Sequence, residues 1–261
     1  MRSPSPEKKK VGLALSGGGV LGIAHLGVIK VLQENQIPIH YIAGVSAGAI
    51  VGAFLAAGYK WDEMMKLVKE LNWGRIARPT IPKKGILDGK LLQRFIEQRL
   101  GKLDFSDLSI PFAAVAVDIT TGKEVVMDQG SVSQAVRASC SIPGIFTPLE
   151  KDGNVYVNGG LKNFLPVDVV RRMGADYVIA VKLVPSFKSK QKPDNIFQIL
   201  LNSFVFLLQG ISDEATSGDV NILPDLEGMD FYDFSQAEEL LERGIAAAQR
   251  CIPQIKTHLR L

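Results

Sequence analysis

Short, wholly apolar runs alternate along this chain with longer stretches of helical spacing. Val11–Leu15 is continuously apolar, which predicts a buried strand, and the next segment, Ile23–Glu34, sets Ile23, Leu26 and Ile29 on one helical face. Tyr41–Val45 predicts a second strand. Ala47–Ala57, built of small and apolar residues, predicts a helix packed on both sides and capped at Gly58. Trp61–Leu71 and Asp88–Leu100 continue as helices, with a loop at Pro79-Thr80-Ile81-Pro82 between them. Strands follow at Phe112–Asp118 and Glu124–Met127, around the break at Thr120-Thr121-Gly122. A helix over Ser131–Cys140 ends before Pro143, Gly144 and Pro148. Asp152-Gly153 is a hairpin-turn dipeptide, and Val155–Val157 is the strand that leaves it for Asn158.

The last third keeps the rhythm: a helix over Val167–Met173, a strand over Tyr177–Val184, and a lysine-rich loop from Pro185 to Asp194. An uncharged helix centred on Phe197–Leu208 then precedes a strand at Val220–Leu223 and a closing helix from Ser235 to Arg250, with Ser235 and Glu238 spaced as a capping box. Alternating strands and helices predict an α/β fold with a largely parallel sheet covered on both faces, the hairpins adding antiparallel pairs. The uncharged run is shorter than the ~20 residues that span a bilayer. It reads first as a core helix and second as a membrane or dimer surface. The polar residues 1–10 read as a mobile tail, and 11–261 as one domain.

Composition narrows the partners. With 30 basic and 27 acidic residues, the net charge of +3 is spread thinly, so nucleic acid is not indicated. Cys140 and Cys251 are too few for a disulfide framework, and a reducing cytoplasm is the default reading. The glycines and His25 interrupt the early apolar segment, which argues against a signal peptide. A peripheral membrane contact and a homo-oligomer both stay open.

Two glycine-rich turns carry the chemistry. Gly17-x-Gly19-x-x-Gly22 follows a strand and opens a helix, as a dinucleotide-binding loop does, but the second strand ends in Gly44-Val45-Ser46 and lacks the acid that would hold a ribose. Gly44-x-Ser46-x-Gly48 is the strand-to-helix elbow that exposes a serine nucleophile. The backbone N–H groups of Gly17, Gly18 and Gly19 would then serve the oxyanion. None of the three histidines is well placed as the base: His25 lies on the first helix, and His40 falls before the elbow strand. His258 fits the order of an α/β-hydrolase triad, but Ser46 follows the second strand, too early for that fold.

The two turns, with Asn158-Gly159-Gly160 downstream, resemble the bacterial patatin-like phospholipases, and the likeness runs from about Val11 to Ala248 through Ser139–Pro148 and Asn163–Val167. The resemblance implies a three-layer α/β/α fold and a serine–aspartate dyad that hydrolyses lipid acyl esters through an acyl-enzyme, with no metal or cofactor. Ser46 takes the nucleophile's place. Asn158 stands where the family has aspartate, and a neutral amide cannot accept the serine proton, so the chain is expected to be inactive or nearly so, or else a non-catalytic lipid binder. An introduced substitution or a natural pseudoenzyme accounts for that residue, whereas a turn preference for Asn-Gly explains its type but not its place after a strand in the family's motif. Asp152 reads as a turn residue, not a substitute base. Leu21 stands where many members have arginine, which weakens the case for an anionic headgroup. Asn-Gly is also a deamidation-prone pair, so slow conversion to aspartate is expected to add activity with age.

Overall fold

The computed structural model describes residues 9–184, 192–213 and 217–261, excluding the side chains of 212 and 213. Most of the expected tail and of the lysine-rich loop therefore lies outside the described residues. Lys9 and Lys10, read as part of that tail, are held: the Lys10 N–H donates to Asp176 Oδ2 at 2.9 Å, and the Lys9 ammonium stands over the Tyr177 ring.

Strand β1 (Val11–Leu15) leads through a 3-10 turn at Gly19–Ile23 into helix α1 (Ala24–Glu34). β2 (Tyr41–Gly44) and α2 (Ala47–Ala56) follow, joined by Val45 and Ser46. Next come α3 (Trp61–Glu70) and α4 (Trp73–Ile76), a single turn capped by the Asn72 side chain. The short β3 (Gly85–Leu87) then precedes α5 (Lys90–Leu100). The middle of the chain holds β4 (Phe112–Asp118), β5 (Lys123–Met127), α6 (Val132–Cys140), β6 (Gly144–Phe146), β7 (Leu149–Lys151) and β8 (Asn154–Asn158). It ends with α7 (Val167–Arg172), β9 (Tyr177–Val181), α8 (Ile196–Asp213), β10 (Val220–Ile222) and α9 (Ala237–Leu259).

The main sheet runs β10-β9-β1-β2-β4-β8-β7, with β5 also on β4; β10 through β4 are parallel, while β5, β7 and β8 are antiparallel. Side-chain alternation assigns its two faces. Val11, Leu13, Leu15, Ile42 and Phe112 enter the larger core with α1, α2, α3, α5, α6 and α9. Ala14, Ala43 and Ala113 face α7, and these small side chains let that short helix lie close.

Some boundaries differ from the sequence expectation. The closing helix runs nine residues beyond Arg250, through Pro253, because Ile252 and Ile255 are buried beyond it. The capping box does not form: Asp233 accepts from both the Ser235 N–H and its hydroxyl, at 2.8 Å each, while Glu238 pairs with Lys69 at 2.9 Å. The uncharged α8 is both core and surface, with Leu201, Phe204 and Leu208 buried and Ile196, Ile199 and Leu207 exposed.

Candidate functional site

Register on one strand brings the distant motifs together. Ala114 of β4 pairs with Gly44 on one edge and Met127 on the other, and Ala116 pairs with Asn158 and Val125 in the same way. Because β5 occupies one edge throughout, β2 and β8 must share the other. They arrive from opposite directions and end head to head beside Val115, so the residues leaving β2 meet those ending β8.

Ser46 leaves β2 at φ 53 and ψ −120, a conformation that costs a non-glycine residue about 1–3 kcal/mol. Its N–H donates to the Ser139 hydroxyl at 2.8 Å. Glycines allow the turn to be this tight: a Cβ on Gly48 would stand 2.3 Å from the Leu15 carbonyl, and one on Gly44 would stand 2.3 Å from that of Gly48.

Asn158 is 1% exposed and bonded at its backbone N–H and at both ends of its side chain. Its N–H donates to the Ser141 carbonyl at 2.9 Å, its Oδ1 accepts from the Gly160 N–H at 2.9 Å, and its Nδ2 donates to Ser46 Oγ at 3.1 Å. The Gly160 N–H fixes the amide's orientation, since the reverse would set two donors face to face. Ser46 therefore faces a donor.

The glycine loop abuts this pair, and a Cβ on Gly17 would lie 3.6 Å from that of Ser46. The Gly17 N–H is turned to the Phe164 carbonyl at 3.3 Å, which removes it from the expected donors. Among the described residues the N–H groups of Gly18 and Gly19 have no partner. Behind the loop, His25 Nε2 donates to the Ser16 carbonyl at 3.0 Å, and burial lowers the His25 pKa to about 4. Gly22 packs on Ala47 and joins the two turns, while Leu21 is buried in the main core and stays out of the cavity.

The remaining histidines lie elsewhere. His40 Nδ1 accepts from the Val11 N–H at 2.9 Å, and His258 contacts the Tyr177 hydroxyl at 3.2 Å. Tyr177 begins β9 while Val181 shares register with Leu15, so His258 sits about four residues, or ~13 Å, from the elbow end of the sheet. Asp152 occupies the β7–β8 turn at φ 50, and Asp118 is engaged by Thr120 and Thr121. Among the described residues no carboxylate bonds Ser46, and no cluster of metal-ligating residues occurs.

Ser46 opens into a cavity of about 160 Å³ between α1, α2, α3, α4, α5, α6 and α8. Its lining is apolar, from Phe54 and Met64 to Trp73 and Phe197, apart from Ser46 and the Cys140 thiol. Burial pushes that thiol up to about 12, opposed by its hydrogen bond with Ser46. Sequence reasoning missed Cys140, Ser139, Ser141 and Phe164 as parts of the site; the likeness of Ser139–Pro148 to the family was the available signal for the first three, and that of Asn163–Val167 for Phe164.

A family model described as patatin-like phospholipase matches residues 13–171. An uncharacterized NTE family protein of Mycobacterium tuberculosis is 38% identical over 186 residues, covering 70% of this chain and 51% of the relative. The chain thus spans about half the length of that relative. Neuropathy target esterase sws of Drosophila melanogaster is 33% identical over 181 residues, 66% of this chain and 13% of that protein. The crystal structure of VipD from Legionella pneumophila superposes with a TM-score of 0.66 at 14% identity, covering 97% of this chain and 67% of that one. The chain belongs to the patatin-like phospholipase family.

Proposed function

We propose that this chain is a lipid acyl-ester hydrolase scaffold whose serine–aspartate dyad has been neutralised at Asn158. The observation that carries this reading is the 3.1 Å contact between Asn158 Nδ2 and Ser46 Oγ at the floor of an apolar cavity. An aspartate at this position would accept from both Ser46 and the Gly160 N–H, and would take the serine proton as Oγ attacks the ester carbonyl. The Gly18 and Gly19 N–H groups, at the start of the turn into α1, would receive the oxyanion. The acyl chain would lie along Phe54, Met64 and Phe197, and water would release it from Ser46.

Asn158 reverses the polarity of the key hydrogen bond. Turning the amide round would strand a buried donor at a cost of about 1–3 kcal/mol, and the amide oxygen is still no useful base. Loss of general-base help costs ~10²–10⁴ in rate, and more where two residues act as one unit. The same observation supports a second reading, a non-catalytic lipid binder that keeps the cavity. Both place the protein against lipid, and the two free thiols suit a reducing cytoplasm.

Mass spectrometry after mixing with a long-chain ester tests the first reading. Asn158→Asp should carry an acyl adduct on Ser46, whereas the parent chain should carry almost none. Equal adducts on both would remove the base role of position 158, and neither adduct nor released fatty acid from either form would favour the lipid binder.

A further inference from the structure

We propose that α8 is the face by which this protein seats itself on an anionic bilayer, with the Ser46 cavity directly beneath it. The proposal rests on the lipid-ester reading of that cavity. From Ile196 to Ile211 the helix carries no charged residue. Its inner face packs Leu201, Phe204 and Leu208 with Ile142, Ile145 and Phe164, and Phe197 and Leu201 reach into the cavity. Leu208 lies on the turn after Asn158, where a Cβ on Gly160 would stand 2.8 Å from Leu208 Cδ2. The helix therefore roofs both the reacting pair and the apolar space beside it.

Its outer face is the unusual part. Ile196, Ile199 and Leu207 are 66%, 51% and 58% exposed, and they recur with Ser203 and Gly210 on one helical stripe. A helix that is apolar on all sides belongs in a core or against lipid, and here the core covers one side. No helix among the described residues is long and apolar enough to cross a membrane, so α8 would lie in the interface plane.

Charge at the rim selects the lipid. Exposed Lys83 follows Ile81, itself 75% exposed, in the loop leading to β3; β3 pairs with β6, on which α8 packs. Exposed Lys162 ends the turn beneath Leu208, and exposed Lys192 precedes the helix. Of the nearby acids, Glu150 pairs with Lys84 at 2.9 Å, while exposed Asp194, which only accepts from the Asn195 amide at 2.7 Å, keeps its charge beside Lys192, so the excess positive charge at the rim rests on Lys83 and Lys162. Apolar side chains bordered by lysines match an anionic headgroup layer over its acyl region.

Vesicle co-sedimentation tests this with the chain as it stands. Binding to phosphatidylcholine vesicles containing phosphatidylglycerol should exceed binding to phosphatidylcholine alone. Ile199→Glu with Leu207→Glu should weaken it at least about tenfold, since two half-buried side chains would be lost from the interface. Lys83→Glu with Lys162→Glu should abolish the preference for phosphatidylglycerol. If the glutamates unfold α8 by circular dichroism, Ile199→Ser with Leu207→Ser gives the same test. Undiminished vesicle binding by a folded double variant overturns the proposal. So does a parent dimer in sedimentation velocity that the double variant dissolves without any vesicle binding, which would assign the face to a second copy. Hydrolysis of a water-soluble ester by the Asn158→Asp form is read separately, so a failed site and a failed surface are distinguishable.

Discussion

Ser139→Ala removes the hydroxyl that accepts the Ser46 N–H at 2.8 Å. Ser139 is fully buried, so solvent is a poor substitute, and an N–H left without a partner costs about 1–3 kcal/mol. Relaxation of Ser46 from φ 53 and ψ −120 would return part of the strain stored there. The net loss should be about 1–2 kcal/mol, which for a chain of this size lowers Tm by roughly 2–8 °C. Urea unfolding should show a lower midpoint with an unchanged slope. In the Asn158→Asp form the same change should also lower ester hydrolysis per folded molecule by more than about tenfold, because a nucleophile displaced by ~1 Å can lose 10² in rate. A stability change under about 0.5 kcal/mol, small enough for an ordinary surface substitution, would refute the assignment of Ser139 as the brace of the elbow.

Burial holds His25 neutral with its pKa lowered to about 4 against 6.5 unfolded, so its contribution is whole above pH 6.5 and is lost as pH falls toward 4, about 3 kcal/mol in all. Urea midpoints measured stepwise over that window should fall less steeply for His25→Gln, and parallel curves would contradict this. Gly159→Ala should damage fold and site together, because a Cβ there would lie 2.2 Å from the Val115 carbonyl; a folded variant with unchanged unfolding would show that the strand ends do not meet as described. Deamidation at Asn158-Gly159 should be slower than in an unstructured peptide, since Asn158 is held at ψ 128 with both side-chain ends bonded; peptide mapping of an aged sample that finds ready conversion would overturn that.

The strands of the parallel sheet were legible because strands buried on both faces read as unbroken apolar runs, as Val11–Leu15 does. β3 and β6 were not, since each is three residues long and Pro143 and Gly144 punctuate the second; their pairing of Leu87 with Phe146 has no local signature. At the C-terminal end Pro253 hid the last turns of α9, which are held in place by tertiary burial of Ile255. In the site, Ser46 announced itself through its flanking glycines. Asn158 lies 112 residues away and depended on family resemblance, because the meeting of β2 and β8 on one edge of β4 is a matter of register. The loss of Gly17 as a donor depends on where the Phe164 carbonyl falls, which no spacing encodes.

If position 158 holds the base of a Ser46 nucleophile and asparagine disables it, ester hydrolysis should depend on both side chains together. Hydrolysis of a short-chain p-nitrophenyl ester by the parent chain, by Asn158→Asp, and by Asn158→Asp with Ser46→Ala measures this directly. Near-background rates are expected for the parent, a gain of ~10²–10⁴ for the aspartate form, and loss of that gain without Ser46. A parent as active as the aspartate form, or an aspartate form whose activity survives Ser46→Ala, would contradict it.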